Sequence, residues 1–463
     1  MNLIWTIRIG CVVSLLPMPL AAQTPPAPGV PAPAEMKALV AERVADPRVP
    51  GIAIARLMGE DRFLATGGRL RAADPSQVTS ATVFEIGSIT KAFTGLLLAE
   101  MVLRGEVALD DSVATHLPPG TRVPERDGIA ITMRHLATHT SGLPRDPDNL
   151  DPRDQDDPYA DYDAARLTAF LAAHQLRRAP GATYEYSNVG GGLLGWALAN
   201  RADTTYGALL RERILTPLGM NQTGIEVTDA MRDRLATGHD GMGEPMAPWH
   251  FAVLAGAGAL RSTLDDMLRF AAAARDTVRG PLARAMALSQ REAFRIDSLT
   301  AVGLGWHRLT RRGRTLAWHN GATGGFRSMI VADPVASRAA VVLTNSIYDG
   351  DAIAIRLLDD SVKLRPLPPG RATVPVDAAT LAKYPGRYRL TPAFVITITP
   401  RDTTGLHLQA TGQQRFRLHA SSPTEFFVTE VAASITFETD GDGDVVALVL
   451  HQGGIDQRAP REP

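Results

Sequence analysis

The chain has a single cysteine in 463 residues, Cys11, and it sits in an apolar run close to the N-terminus. If that run is removed, no disulfide can form and no thiol nucleophile remains. A charge excess of either sign is also missing. The formal net charge is −1, so no field exists to gather phosphates, and a nucleic-acid partner is not expected. Beyond the N-terminal run, no segment is long and apolar enough to span a bilayer. Lysine is scarce too: of 48 Lys+Arg, only Lys37, Lys91, Lys363 and Lys383 are lysine. Arginine stays protonated in proteins, whereas lysine can lose its proton when its surroundings lower its pKa. A chain that otherwise uses arginine would keep lysine where the position must sometimes be neutral. Lys91, three residues after Ser88, is the candidate for such a position.

What is present is ordinary for a soluble globular protein, with 45% hydrophobic and 21% charged residues. The length points to two or more domains. Arg8, the apolar run 9–16, Pro17, Pro19 and the small pair Ala21-Ala22 read as a secretory signal peptide over residues 1–22. A bacterial periplasmic or secreted location follows as the expectation. Residues 23–35 form a Pro/Ala linker. A helix is expected at about 34–45, a strand at 51–57 and its hairpin partner at 62–66. Apolar residues Phe93, Leu96, Leu97 and Met101 recur at helical spacing over 88–104, and Gly105 stops that helix.

The middle of the chain reads as helical with long loops. Thr132 is the expected N-cap of a short helix, 146–163 reads as an Asp/Pro-rich surface loop, and helices are expected at 189–199 and 264–274. Strands return at 303–309, 315–318, 327–332 and 339–344, followed by a helix at 352–363. This order predicts an α/β domain, its sheet shared by the two ends of the segment, with a helical block inserted between them. Residues 364–375 are a second Pro-rich linker. Beyond it, alternation at 394–399, 406–410, 416–418, 435–437 and 444–450 predicts a small β-barrel or sandwich. The run 440–444 resembles the start of a calcium loop, but its twelfth position is His451 rather than glutamate. A hairpin turn is therefore expected.

Three constellations carry chemistry. Ser88 and Lys91 lie within Phe84-Glu85-Ile86-Gly87-Ser88-Ile89-Thr90-Lys91, where the i,i+3 spacing puts both side chains on one helix face. A serine needs a base to become a nucleophile, and a desolvated lysine can serve. Tyr186-Ser187-Asn188 offers a phenol for proton transfer and an amide that can donate to a substrate carbonyl. His319-Asn320-Gly321 follows a strand, and Gly321 and Ala322 would let a substrate lie along its edge. His135 and His139, four apart, have metal-ligand spacing but no evident third ligand, so neither metal nor cofactor is expected.

Ser-x-x-Lys, Tyr-x-Asn and a third triplet ending in Gly, in this order, resemble the serine β-lactamase and penicillin-binding protein superfamily. Residues 84–87, 136–143 and Gly256-Ala257-Gly258 resemble its class C-like branch, and the likeness covers about residues 36–363. It implies a β-lactamase/transpeptidase-like fold, an antiparallel sheet flanked by helices with a helical lobe. It also implies Ser88 as acylated nucleophile, Lys91 and Tyr186 as proton carriers, and Asn188 and His319 as substrate-binding. The N–H groups of Ser88 and Ala322 would form an oxyanion hole beside Gly321. Typical β-lactamases have lysine where this chain has His319, which would be partly cationic near neutrality and a weaker anchor for a carboxylate. His-x-Gly resembles DD-peptidases and D-amino-acid peptidases of the branch. Residues 376–463 resemble the lipocalin-like appendages of some class C-like hydrolases. The expectation is an exported serine hydrolase acting on D-amino-acid peptides, β-lactams or small esters. The alternative is a slowly acylating penicillin-binding sensor.

Overall fold

The computed structural model describes residues 29–463 apart from 73–74, 277, 281, 349, 402–404 and 414. The leader, Cys11 and most of the first linker lie outside the described residues. The remainder of that linker is shorter than its composition indicates. A helix begins at Pro33 and runs to Val44, because proline is tolerated in a first helical turn, where its missing N–H has no partner to lose.

Gly51–Met58 is buried at every position but its last. It lies within an eight-stranded antiparallel sheet in the order Asp61–Gly68, Gly51–Met58, Arg338–Thr344, Phe326–Asp333, Arg314–Thr323, His307–Arg311, Thr300–Val302, Phe294–Arg295. Both faces are covered. Ile52 and Ile54 pack with Met36 and Val40 of the first helix and with Ile353 and Leu357. Ala53, Ala55 and Leu57 face the larger core, which includes Phe93, Leu97 and Phe270. The period-2 alternation of the strand thus separates two cores rather than core from water. The helical block between the two sets of strands contains Thr90–Leu103, Asn188–Arg201 and Leu264–Arg275. An antiparallel sheet flanked by helices, with a helical lobe, is the architecture expected.

Three elements differ from expectation. Residues 303–306 form a turn and not a strand. Their N–H groups bond to carbonyls of Ser289, Ala137 and, within the turn, Trp306, so the strand starts at His307. The helix expected at 352–363 is Gly350–Arg356. Past it, the Asp359 carboxylate accepts from the N–H of Ser361, and Arg356 donates to the carbonyls of Asp360 and Val362. These side-chain bonds compete with the next helical turn. The 146–163 loop is not simply a surface loop, since it buries Tyr159 and Tyr162.

After the second linker, eight antiparallel strands follow one another from Gly386–Thr391 to Ile455–Pro460, each paired with the next. The first and last meet through a Tyr388–Arg461 bridge, and the sheet nearly closes as a barrel around Tyr384, Tyr388, Ile396, Phe426 and Phe437. Gly386–Thr391 and Ile455–Pro460 were not legible as strands, because each buries only one side chain, Tyr388 and Ala459. At 440–444 the Asp440 carboxylate accepts from the N–H groups of Asp442 and Asp444, which makes the hairpin turn.

Candidate active site

Ser88 lies in a tight 3₁₀ turn, Gly87–Ile89, immediately before the helix Thr90–Leu103. The turn is fixed from below. Glu85 forms a buried ion pair with Arg261 at 3.0 Å, and the Ile86 carbonyl accepts from Ser328 Oγ at 2.8 Å. A Cβ on Gly87 would stand 2.8 Å from Ala322 N. The two backbone segments proposed from the motifs therefore do approach each other.

Lys91 is 2% exposed. Its Nζ has three neighbours: Asn188 Oδ1 at 2.9 Å, the Ala257 carbonyl at 2.7 Å and Ser88 Oγ at 3.1 Å. Burial, then the charge of Arg145, hold its pKa well below the ordinary lysine value, and Asp146 only partly opposes them. Tyr186 is drawn into the same cluster, with Lys91 Nζ 4.9 Å from its ring centre. Burial pushes its phenol up to about 12; a hydrogen bond to Ser88 and the charge of Arg145 work against the rise.

The loop carrying Tyr186 is held by its neighbours. Ser187 caps the helix Asn188–Arg201, accepting from Gly190 N at 2.8 Å, and donates to the Pro144 carbonyl. Its own N–H bonds to His139 Nδ1 at 3.1 Å. His139, with φ of 56°, and His135, which accepts from Thr132 N within the cap, are thus used by the backbone.

Asn188 is committed differently from the sequence expectation. Its carbonyl faces Lys91, and its Nδ2 donates to Asp146 Oδ1 at 2.9 Å. Asp146 Oδ1 also accepts from Tyr159 at 2.7 Å. Sequence reasoning missed Asp146 and Arg145 because they begin an Asp/Pro-rich stretch whose composition signals a solvated loop. Asp146→Ala should strand the Asn188 amide and a buried tyrosine hydroxyl. We expect about 1–3 kcal/mol lost in urea unfolding and roughly a tenfold or greater fall in kcat/KM for an ester. Asp146→Asn, which keeps an acceptor, should recover most of both. Equal rates for the alanine variant and the parent would remove Asp146 from the site.

His319 corrects an expectation of charge. It is fully buried, and burial, then His307 and Lys91, hold its pKa well below 6.5. It is therefore a neutral imidazole and not a partial cation. His307 lies 5.0 Å away, ring to ring, and is held at about pKa 4 by burial; His307 also bonds to Tyr184 at 2.9 Å. Among the described residues, no three His, Cys, Asp or Glu side chains are placed to hold a metal ion.

Residues 36–363 match the model of the β-lactamase family, and residues 371–459 match that of a domain of unknown function, DUF3471. D-alanyl-D-alanine-carboxypeptidase/endopeptidase AmpH of Escherichia coli K12 is 32% identical over 222 residues, which are 48% of this chain and 56% of AmpH. The chain thus spans little more than half the length of that relative. A β-lactamase of the same organism is 28% identical over 66% of this chain and 86% of its own. Penicillin-binding protein 4 of Amycolatopsis lactamdurans is 29% identical over 64% and 81%. Among solved structures, a class C β-lactamase superposes with a TM-score of 0.62 at 22% identity, covering 71% of this chain and 96% of that one, which supports the fold. Since the family model covers most of its length, the chain belongs to the β-lactamase family.

Proposed function

We infer that this chain is a serine hydrolase working through an acyl-enzyme on Ser88, with neutral Lys91 as the base. The observation that carries the reading is the set of three neighbours around Lys91 Nζ. An amine without its extra proton has two N–H groups and one lone pair. The Ala257 carbonyl can only accept, and Asn188 presents its carbonyl because its NH₂ is held by Asp146. Those two acceptors use both N–H groups, which leaves the lone pair for the Ser88 hydroxyl.

The chemistry then follows. Ser88 Oγ attacks the substrate carbonyl as its proton passes to Lys91 Nζ. The oxyanion is met by the N–H groups of Ser88 and Ala322, with Gly321 allowing the approach. The proton returns to the leaving group through Lys91 and the Tyr186 phenol. Water then attacks the acyl-enzyme by the reverse relay and frees Ser88. Asn188 orients Lys91 and retains one amide hydrogen for the substrate.

The substrates we assign are small esters, D-amino-acid peptides and β-lactams. The neutral His319 offers no cation at the third motif, so esters lacking a carboxylate should be turned over faster than β-lactams. Residues 36–363 form the hydrolase domain, and 364–375 link it to the β domain 376–463. The apolar leader supports a periplasmic or secreted location, and no helix among the described residues is long and apolar enough to cross a membrane.

The test is a parallel rate comparison with nitrocefin, a D-Ala-D-Ala peptide and p-nitrophenyl butyrate, using Ser88→Ala as blank, together with mass spectrometry after a fluorophosphonate. Labelling at Ser88 and Ser88-dependent ester turnover are expected. Labelling without turnover of any substrate would instead make the protein a penicillin-recognising sensor. Absence of labelling would end the serine-hydrolase reading.

A further inference from the structure

Part of the outer face of the β domain, on the strands Leu406–Ala410 and Arg415–Ala420, is covered. Strand register puts Arg387 opposite Thr397, Thr397 opposite Gln409 and Gln409 opposite Arg415, a polar row crossing four strands. Their neighbours Tyr388, Ile396, Leu408 and Phe416 point the other way, into the barrel core. The adjacent row holds His407 and Arg417, whose side chains are only 5% and 7% exposed. Both contact Asp156 of the 146–163 loop, His407 Nε2 at 3.3 Å and Arg417 as an ion pair, and Arg417 also reaches the fully buried Asp240. Buried polar side chains on the outside of a barrel mark a face pressed against another surface. Here that surface is the 146–163 loop, whose first residue Asp146 holds Asn188, together with the segment of Asp240 and Pro245.

A cleft of about 590 Å³ runs between the two domains, from Tyr186 and Arg145 to Thr397, Gln409 and Gln413 of the β domain. A smaller chamber of about 50 Å³ shares Asp146, Leu150 and Gln409 with it and is bounded by Arg415. Arg415 Nε and Nη1 are buried there and have no acceptor among the described residues. The charged or ionisable groups acting on Arg415 are Asp151, Asp156 and Tyr159. Asp156 already serves Arg417 and His407. Other arginines among the described residues leave one buried N–H unpaired, but Arg415 leaves two, and a carboxylate matches their fork geometry.

We propose that the β domain supplies a substrate subsite in which Arg415, with Gln409 beside it, recognises a carboxylate on the part of the substrate that extends past Tyr186. This rests on the acyl-enzyme reading, and it places the recognition of negative charge in the chamber that Arg415 bounds, which shares Asp146, Leu150 and Gln409 with the cleft, and not at the buried His319. The subsite makes Arg415 a specificity-determining residue and adds no chemical step of its own. Its substrates are esters or amides whose acyl part ends in a carboxylate.

Two length-matched esters test this: mono-p-nitrophenyl suberate and p-nitrophenyl octanoate. In Arg415→Gln, kcat/KM for the suberate ester should fall about ten- to hundredfold, the worth of a charge-assisted hydrogen bond. The octanoate rate should stay within about twofold. Equal losses for both esters, or no loss for either, would overturn the subsite. Binding separates this result from any failure of the acyl-enzyme reading. Calorimetry of suberate monoanilide on full-length Ser88→Ala needs no turnover; it should show binding that Ser88→Ala/Arg415→Gln lacks. Identical binding to the two proteins would overturn the subsite whatever Ser88 does.

Discussion

Lys91→Arg should lower the rate of Ser88 acylation by about 10²–10⁴-fold, the usual worth of a positioned general base, although it keeps the positive charge the position carries when protonated. Arginine cannot be deprotonated in a protein, so it has no lone pair to take the Ser88 proton. It is also larger and planar, in a site where Lys91 is 2% exposed and a Cβ on Gly191 would already stand 3.0 Å from Lys91 Cε. Pre-steady-state ester hydrolysis measures the effect. The parent enzyme's pH profile gives an independent check. A base acts only when neutral, so kcat/KM should rise with pH through the pKa of Lys91 and then level off. Burial and Arg145 hold that pKa well below 10.5, so the plateau should be reached well short of the range in which a solvated lysine titrates. The Tyr186 phenol, at about 12, should still be protonated on the plateau. Near-parental rates for Lys91→Arg, or a rising limb centred near 10.4, would mean that Lys91 is not the base.

Gly321→Ala should cost about 10²–10³-fold in kcat for an ester, the loss associated with one oxyanion-hole donor. A main-chain donor cannot be deleted by substitution, but it can be displaced. A Cβ at Gly321 would overlap the Ile86 carbonyl oxygen and press on Ser328 Oγ. Ile86 is the residue before the Ser88 turn, and Ser328 is its hydrogen-bond partner at 2.8 Å. The strand bearing Ala322 and the turn bearing Ser88 would have to separate, spoiling the alignment of their two N–H groups. The expected signature is a fall in kcat larger than any rise in KM, with slowed fluorophosphonate labelling and an intact circular-dichroism spectrum. Unchanged kcat in a folded Gly321→Ala would show that the Ala322 strand does not supply the hole.

Several parts of this molecule were legible before any fold was known. The strand pairing of Gly51–Met58 with Asp61–Gly68, the Thr132 cap and the helix after Ser88 all rest on local periodicity and capping chemistry. Where each strand keeps its own alternation, the β domain could be read too. Where a strand buries a single side chain, as at Tyr388 or Ala459, no period exists to detect.

By itself, the sequence determined which side chains can do chemistry: a serine and a rare lysine one turn apart, a tyrosine and asparagine ahead of a helix, a histidine where a cation was the alternative. Only the tertiary structure decided their charge states and partners. Burial holds the pKa values of Lys91 and His319 well below their ordinary values. Asp146, over 50 residues from Lys91 in sequence, turns Asn188 so that its carbonyl faces the amine. The β domain becomes a wall of the cleft through ion pairs that no local pattern announces. The reason is physical. Side-chain type and spacing are properties of neighbouring residues, but desolvation and hydrogen-bond direction depend on every group that packs around a site, wherever it lies in the chain.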